Sequence, residues 1–252
     1  MRRRAAALPL SLIAGAMILA CVDIPTGAED VLSFQVNALP SPSVVAGDTL
    51  RDTTGAVTPI SVAAFNYSND PVENVPARFR ALDGRIRVDS VTGIVIGDTA
   101  SATPSRVLST FAGFSAFLNI PVSLRPDTIV GQNERDSLDY SLTDTAANVS
   151  DPIGVRVLHG LTTTDSAVAS YRVTFDMVPP GDTTLARLVT ESGARSTVDT
   201  TDASGVATRR LRIEVSGLTA PVDSVIVMAN VRYRGQHVRG SPMRLVLKLR
   251  PK

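Results

Sequence analysis

Two histidines, a single cysteine and a few closely spaced carboxylates are the residues of this 252-residue chain whose types could do chemistry. Hydrolysis needs a nucleophile and a base held together. His159 precedes a glycine at a strand end, and His237 sits in the turn Arg234-Gly235-Gln236-His237, so both read as surface loop residues. Gly113-Phe114-Ser115-Ala116-Phe117 lacks the second glycine of a Gly-x-Ser-x-Gly elbow. Asp199, Asp202 and Gly205 offer closely spaced oxygens of the kind calcium loops use, but not at EF-hand spacing. A turn in which Asp bonds its own backbone and Gly supplies a positive φ accounts for them without metal. Gly47-Asp48-Thr49, Gly97-Asp98-Thr99 and Gly181-Asp182-Thr183 read the same way, as punctuation between strands. Arg232, Arg234, Arg239 and Arg244 gather around the last hairpin, where they could meet phosphate, lipid headgroups or an acidic polysaccharide. The plainer reading is a solvated edge whose charges discourage edge-to-edge pairing.

Composition sets the limits within which these residues act. Apolar content of 44% with 19% charged residues is too apolar for a disordered chain and affords a core. A formal net charge of +1 gives no broad electrostatic footprint, so nucleic acid is not expected as a partner. One cysteine excludes an internal disulfide and a cysteine-based zinc cluster, and no cofactor is expected.

The first twenty residues have the pattern of an export signal. Arg2, Arg3 and Arg4 precede an apolar run from Ala5 to Ala20, which is short for a membrane span and carries Pro9 and Ser11. Residues 1–20 hold three of the basic residues and no acid, so their removal leaves 22 basic against 24 acidic, a formal −2. The run ends Ile18-Leu19-Ala20-Cys21, which resembles the lipobox of bacterial lipoproteins. That resemblance implies that Cys21 is lipidated and becomes the mature N-terminus, anchoring the chain to a membrane. Several acyl chains at about 0.8 kcal/mol per buried CH₂ make such an anchor durable. Val22 after the cysteine resembles the form passed on to the outer membrane. Residues 21–30 form a polar tether reaching at most about 30 Å.

From Val31 onward, short β-branched runs are cut by Gly, Pro, Asn and Asp at intervals of about 8 to 12 residues, the signal of an all-β sandwich or barrel. The runs read as strands are 32–36, 60–67, 77–82, 85–89, 94–97, 106–111 and 117–124 in the first half. In the second half they are 137–142, 154–159, 169–177, 186–190, 206–215, 224–233 and 243–249. Leu211, Ile213 and Val215 alternate with Arg210, Arg212 and Glu214, and Leu245, Leu247 and Leu249 alternate likewise near the C-terminus. Within 182–192, Leu185, Leu188 and Val189 have helical spacing behind Asp182 and Thr183, yet the neighbouring valines and threonines favour a strand. Arg125-Pro126-Asp127 and the polar run 131–136 suggest a boundary. The expected layout is signal peptide 1–20, lipidated Cys21 and tether 21–30, one sandwich over 31–126 and a second over 127–252.

The segment Ile60 to Phe79, with a turn at Asn69-Asp70-Pro71 and then Val72 to Phe79, resembles the bacterial immunoglobulin-like repeat of the Big-like, invasin or intimin type. Thr201-Asp202-Ala203-Ser204-Gly205-Val206-Ala207 matches that family's Thr-Asp-x-x-Gly-x-Ala turn, and Asp89-Ser90-Val91-Thr92-Gly93-Ile94-Val95 is a weaker copy. These two turns suggest an internal repeat of about 110 residues, near the size of one sandwich. The resemblances imply two tandem immunoglobulin-like β-sandwiches on a lipid-anchored protein of the cell envelope, expected at the outer membrane. They imply a non-catalytic role in adhesion, spacing or binding, with a protein or glycan ligand not specified. The alternatives are a periplasm-facing accessory subunit of an envelope complex and, third, a hydrolase.

Overall fold

Alternation with a period of two dictates the local structure almost everywhere in the computed structural model, which describes residues 31–143, 148–161, 165–178, 185–214 and 223–252. In the first half the strands are β1 (Ser33–Val36), β2 (Val44–Val45), β3 (Val62–Phe65), β4 (Pro71–Val72), β5 (Arg78–Ala81), β6 (Ile86–Val88), β7 (Val95–Gly97), β8 (Ser101–Phe111) and β9 (Phe114–Ser123). They form a sheet in the order β1-β3-β4, a second in the order β2-β9-β8-β5, and the hairpin β6-β7. Between these layers lie Val44, Leu50, Ile60, Phe79, Ile86, Val95, Val107 and Ile120, all buried. The long β8-β9 hairpin turns through Ala112 at φ 44° and Gly113 at φ 89°, two positive φ values in succession that suit the twist of the flanking strands.

The second half has β10 (Thr128–Gln132), β11 (Arg135–Tyr140), β12 (Ile153–His159), β13 (Ser166–Ala167), β14 (Arg172–Val178), β15 (Ala186–Val189), β16 (Val198–Thr200), β17 (Val206–Ile213), β18 (Ser224–Asn230), β19 (Arg232–Tyr233), β20 (Gln236–His237) and β21 (Met243–Pro251). One sheet runs β10-β12-β17-β15, with β13 beside β12, and the facing sheet runs β11-β21-β18-β14-β16. Their inner faces enclose a separate, larger core built around Phe175, Ile153, Leu211, Ile213, Leu245 and Leu247. In each half an early strand lies parallel to the last one, β2 beside β9 and β11 beside β21. The chain is all-β, two tandem immunoglobulin-like β-sandwiches, as the sequence leads one to expect.

Several elements differ from the sequence reading. The polar run 131–136 interrupts the strands only at 133–134, where the chain leaves β10 at Gln132 and enters β11 of the facing sheet at Arg135. Exposed Arg135, Ser137 and Asp139 alternate along β11 with the inward-facing Leu138 and Tyr140, so the polarity of Arg135 is that of an outer face. The disputed stretch near residue 186 is the strand Ala186–Val189, with Leu188 and Val189 buried against the sheet, while Asp182 and Thr183 lie outside the described residues. The turns at Asp89 and Asp202 are alike in sequence but not in use. The first closes the antiparallel β6-β7 hairpin, whereas the second carries the chain from β16 in one sheet to β17 in the other.

That crossing is held by charge. Arg209 points inward with Ala207 and Leu211, and its side chain is only 7% exposed. Asp199 on β16 meets its Nη1 at 3.0 Å and also accepts the Thr208 N–H at 2.8 Å, tying the two sheets together at one edge. Removing Asp199 leaves the buried Arg209 charge with only neutral acceptors, the Thr208 carbonyl and Ser196 Oγ. Asp199→Ala is therefore expected to cost about 3 kcal/mol in urea unfolding, and the double change Asp199→Leu with Arg209→Met to recover most of it. Equal loss in the single and double variants would show that packing rather than the stranded charge sets the cost.

Candidate functional site at the junction of the two sandwiches

The most concentrated polar chemistry in the described residues lies where the sandwiches meet. Gly47, at φ 77°, turns the chain after β2 so that Asp48 points into the junction, where its side chain is 3% exposed. Arg51, three residues on, donates from Nε to Oδ2 and from Nη2 to Oδ1, each at 3.1 Å. Arg234 reaches the same carboxylate from the second sandwich, with Nε at 2.9 Å from Oδ2 and Nη2 at 3.0 Å from Oδ1. The Thr49 N–H adds a bond of 2.8 Å. Burial alone would raise the Asp48 pKa, but the bonds from Arg234, Arg51, Thr49 and Tyr233 outweigh it and hold the carboxyl far below its ordinary range.

Backbone geometry brings Arg234 there. It sits at φ 51° and Gly235 at φ 78° in the two-residue turn between β19 and β20, which presents the guanidinium toward the first sandwich. The turn meets the loop Asp52-Thr53-Thr54-Gly55. A Cβ added at Gly55 would overlap the backbone of Arg234 and Gly235, so the approach requires glycine. Asp52 shapes that loop, its Oδ1 accepting Thr54 N–H, Thr54 Oγ1–H and Ala56 N–H at 2.9, 2.7 and 3.0 Å. Asp202 binds Ser204 N–H, Ser204 Oγ–H and Val206 N–H in the same pattern at 2.8, 2.7 and 2.9 Å. The closer copy of the Asp202 turn is thus at Asp52, on the junction itself.

Beside the clamp runs a groove of about 300 Å³ lined by Asp52 and Thr53 of the first sandwich and by Tyr171, Arg172, Asn230 and Arg232 of the second. The Tyr171 hydroxyl donates to the Arg232 carbonyl at 2.7 Å, and burial raises its pKa, so it remains a neutral donor. A second cleft, about 470 Å³, has Ala102, Pro121 and Leu124 on one side and Ala167, Ser170 and Thr201 on the other.

The structure separates the residues grouped in the sequence. His159 Nδ1 lies 2.8 Å from Asp127 Oδ2 and 3.0 Å from the Arg125 carbonyl, bracing the connection between the sandwiches. His237 Nδ1 is 3.1 Å from Ser241 Oγ, but that hydroxyl accepts the Val231 N–H at 2.9 Å, so the pair is a turn bond. Both oxygens of Asp199 and Oδ1 of Asp202 are taken by protein donors, which favours the turn reading over calcium. Among the described residues no group of three or more His, Cys, Asp and Glu is placed to hold a metal ion. Of the arginine cluster, Arg234 has a half-exposed side chain that forms an ion pair between modules. Arg239 serves through its backbone, accepting the Ile129 N–H at 3.0 Å and the Thr128 hydroxyl at 3.1 Å. Ile18, Leu19, Ala20 and Cys21 lie outside the described residues.

Asp48 was missed by sequence reasoning, which took it for punctuation, because the partner that gives it meaning is 186 positions away. The only local hint was the short spacing of an acid and Arg51.

No family model matches the chain, and no curated protein matches it. Among solved structures it is similar to domains 4 and 5 of the S-layer protein SbsC, with 11% identity, a TM-score of 0.31, and 88% of this chain and 99% of that chain covered. It is similar to the EC1-2 region of human protocadherin-24 at 13% identity, TM-score 0.28, covering 88% and 100%. Invasin, a bacterial integrin-binding protein, aligns at 12% identity, TM-score 0.30, covering 86% of this chain and 39% of that one. The fold assignment rests on the strand pairing and the two cores themselves.

Because folding depresses the Asp48 pKa, the clamp contributes fully above the ordinary value of 3.8 and is lost only as pH falls through the lower folded value. Electron–electron distance measurements between spin labels at Val91 and Leu142, in a Cys21→Ser background, are expected to give one narrow distribution from pH 7 down to about pH 3. Asp48→Asn, which turns an amide donor toward two guanidiniums, is expected to broaden that distribution already at pH 7.

Proposed function

We propose that the chain is an exported, non-catalytic lipoprotein of the cell envelope, anchored through Cys21, whose modules at 31–126 and 127–252 are held in fixed orientation to present a binding surface away from the membrane. The observation that carries this reading is the Asp48–Arg234 clamp. A module pair that only needed to trail from a tether has no use for a buried carboxylate that engages both halves. The reading is supported at the N-terminus by Ile18-Leu19-Ala20-Cys21 at the end of an apolar run, with the chain's single cysteine in the position that lipidation requires.

Adhesion, spacing or binding all need a surface kept in place rather than a reacting centre, and the polar groove between the modules is a surface of that kind. An outer-membrane position follows from Val22 after the cysteine, and the membrane is then the first partner. A protein or glycan ligand is the second.

Cells fed labelled palmitate are expected to incorporate it into the wild-type chain and not into Cys21→Ser, with the variant leaving the membrane fraction. Label retained by Cys21→Ser, or absent from the wild type, would remove the anchor from the reading. Protease digestion of the second module on intact cells supports adhesion. Protection until lysis supports the accessory subunit of an envelope complex instead.

A further inference from the structure

Strand alternation places Arg244, Val246, Lys248 and Arg250 on the outer face of β21, since Leu245, Leu247 and Leu249 are buried on the other. β11 runs parallel beside it, with Arg135 opposite Val246 and Ser137 opposite Lys248, and these two β11 residues are exposed on the same outer face. Val246 is thus surrounded by cations: Arg244 and Lys248 two residues away on either side, at ~7 Å along the strand, and Arg135 across it at ~5 Å. A shallow depression of about 450 Å³ lies here, lined by Arg135, Asp136, Ser137, Arg244, Val246 and Lys248.

None of the three cations is in an ion pair among the described residues, although eight other contacts of that kind are formed. Asp136 is the acid of the depression, and one of its oxygens accepts the N–H of Ser137 at 2.8 Å. Three like charges against one acid leave the site with an unmet positive charge. Protection of a sheet edge does not account for it. β11 is the edge strand, but Arg244 and Lys248 stand on β21, which is hydrogen-bonded to β11 on one side and β18 on the other. Charges that guard an edge belong on the edge strand itself.

Arginine forks match the oxygens of sulfate and phosphate esters, and a lysine ammonium supplies a point charge. Arg250 continues the row two residues beyond Lys248, but the exposed Asp139 of β11 stands opposite it, so the unmet positive charge is concentrated around Val246. We propose that the outer face of β11 and β21 binds a polysaccharide bearing sulfate or phosphate groups, with Arg135, Arg244 and Lys248 holding one anionic group. A polysaccharide fits better than a bilayer because the apolar residues beside the row, Val246, Ile226 and Met228, are half-buried in the sheet and offer no wedge for lipid. This face is separate from the junction groove, and binding there is independent of the lipid on Cys21.

The test uses the full chain and a size-defined heparin oligosaccharide as probe, by titration calorimetry across a salt series. Arg244→Ser with Lys248→Ser is expected to weaken binding at least about 10-fold and to lower the slope of log affinity against log salt by about 1.5. Arg78→Ser with Arg80→Ser, which removes two exposed arginines of β5, is expected to change affinity less than about 2-fold, and Lys248→Arg to retain it. Equal weakening by the two double variants would overturn the proposal. So would binding to phosphatidylglycerol vesicles without binding to the oligosaccharide, or no salt-dependent binding by the wild type.

Discussion

A carboxylate taken out of water has to find donors, and Asp48 finds two of its strongest in the other sandwich. Its ionised form is expensive to bury alone and becomes acceptable only when guanidiniums and backbone N–H groups surround it. Arg51 and Thr49 come from its own loop and fix where the carboxylate points. Arg234 comes from the tip of the β19-β20 turn and completes the shell. The second sandwich is therefore part of the solvation of a group in the first. Much else at the junction follows from that demand: the positive φ at Arg234 and Gly235, the glycine at position 55 and the Asx turn that presents it.

The same economy of polar side chains recurs inside the second sandwich. Asp199 joins β16 to β17 through one backbone N–H and one buried guanidinium, and Asp202 closes the loop between them. Gly205 lies at φ 78°, and a Cβ there would come within 2.6 Å of the Val157 carbonyl, so the loop sits directly on β12. An immunoglobulin-like sandwich without a disulfide has no covalent tie between its sheets beyond the chain's own crossings. Here an ion pair and a turn bridge them at one edge, while the core of Phe175, Leu211 and Leu247 supplies the bulk of the cohesion by burial.

How much of this was legible in the sequence depended on the range of the interaction concerned. β17 and β21 could be read because alternation is a local pattern, repeated over seven or more residues, and a half-buried strand leaves no other way to satisfy it. β2, β4, β13 and β20 escaped because each is two residues long and too short to show any period. β16 escaped for a related reason, since its three residues carry Asp199, whose polarity serves β17 rather than a solvent face. The Asx turns at Asp89 and Asp202 were recognised from their residues, but not that one closes a hairpin and the other changes sheets, because that difference lies in strand partners far off in the chain. The arginine cluster shows the limit most clearly. Four arginines adjacent in sequence were dispersed by a two-residue turn and a strand into an interdomain ion pair, a groove wall, a backbone brace and an outer face.

Two attachments, rather than one, join the sandwiches, and the difference governs what the molecule can present. The covalent connection at Arg125-Pro126-Asp127 is itself bonded into the second sandwich, Asp127 N–H to the Leu158 carbonyl at 2.9 Å and Arg239 N–H to the Asp127 carbonyl at 3.1 Å. A single pivot of that kind would still allow one sandwich to rotate about it. The Asp48–Arg234 contact lies away from the connection in sequence on both sides and removes that rotation. The groove lined by Thr53 and Arg172 is then assembled before any ligand arrives, so a ligand touching both modules does not meet the entropy cost of aligning them. That alignment is set in folding, by the bonds that Arg234 makes to one buried carboxylate.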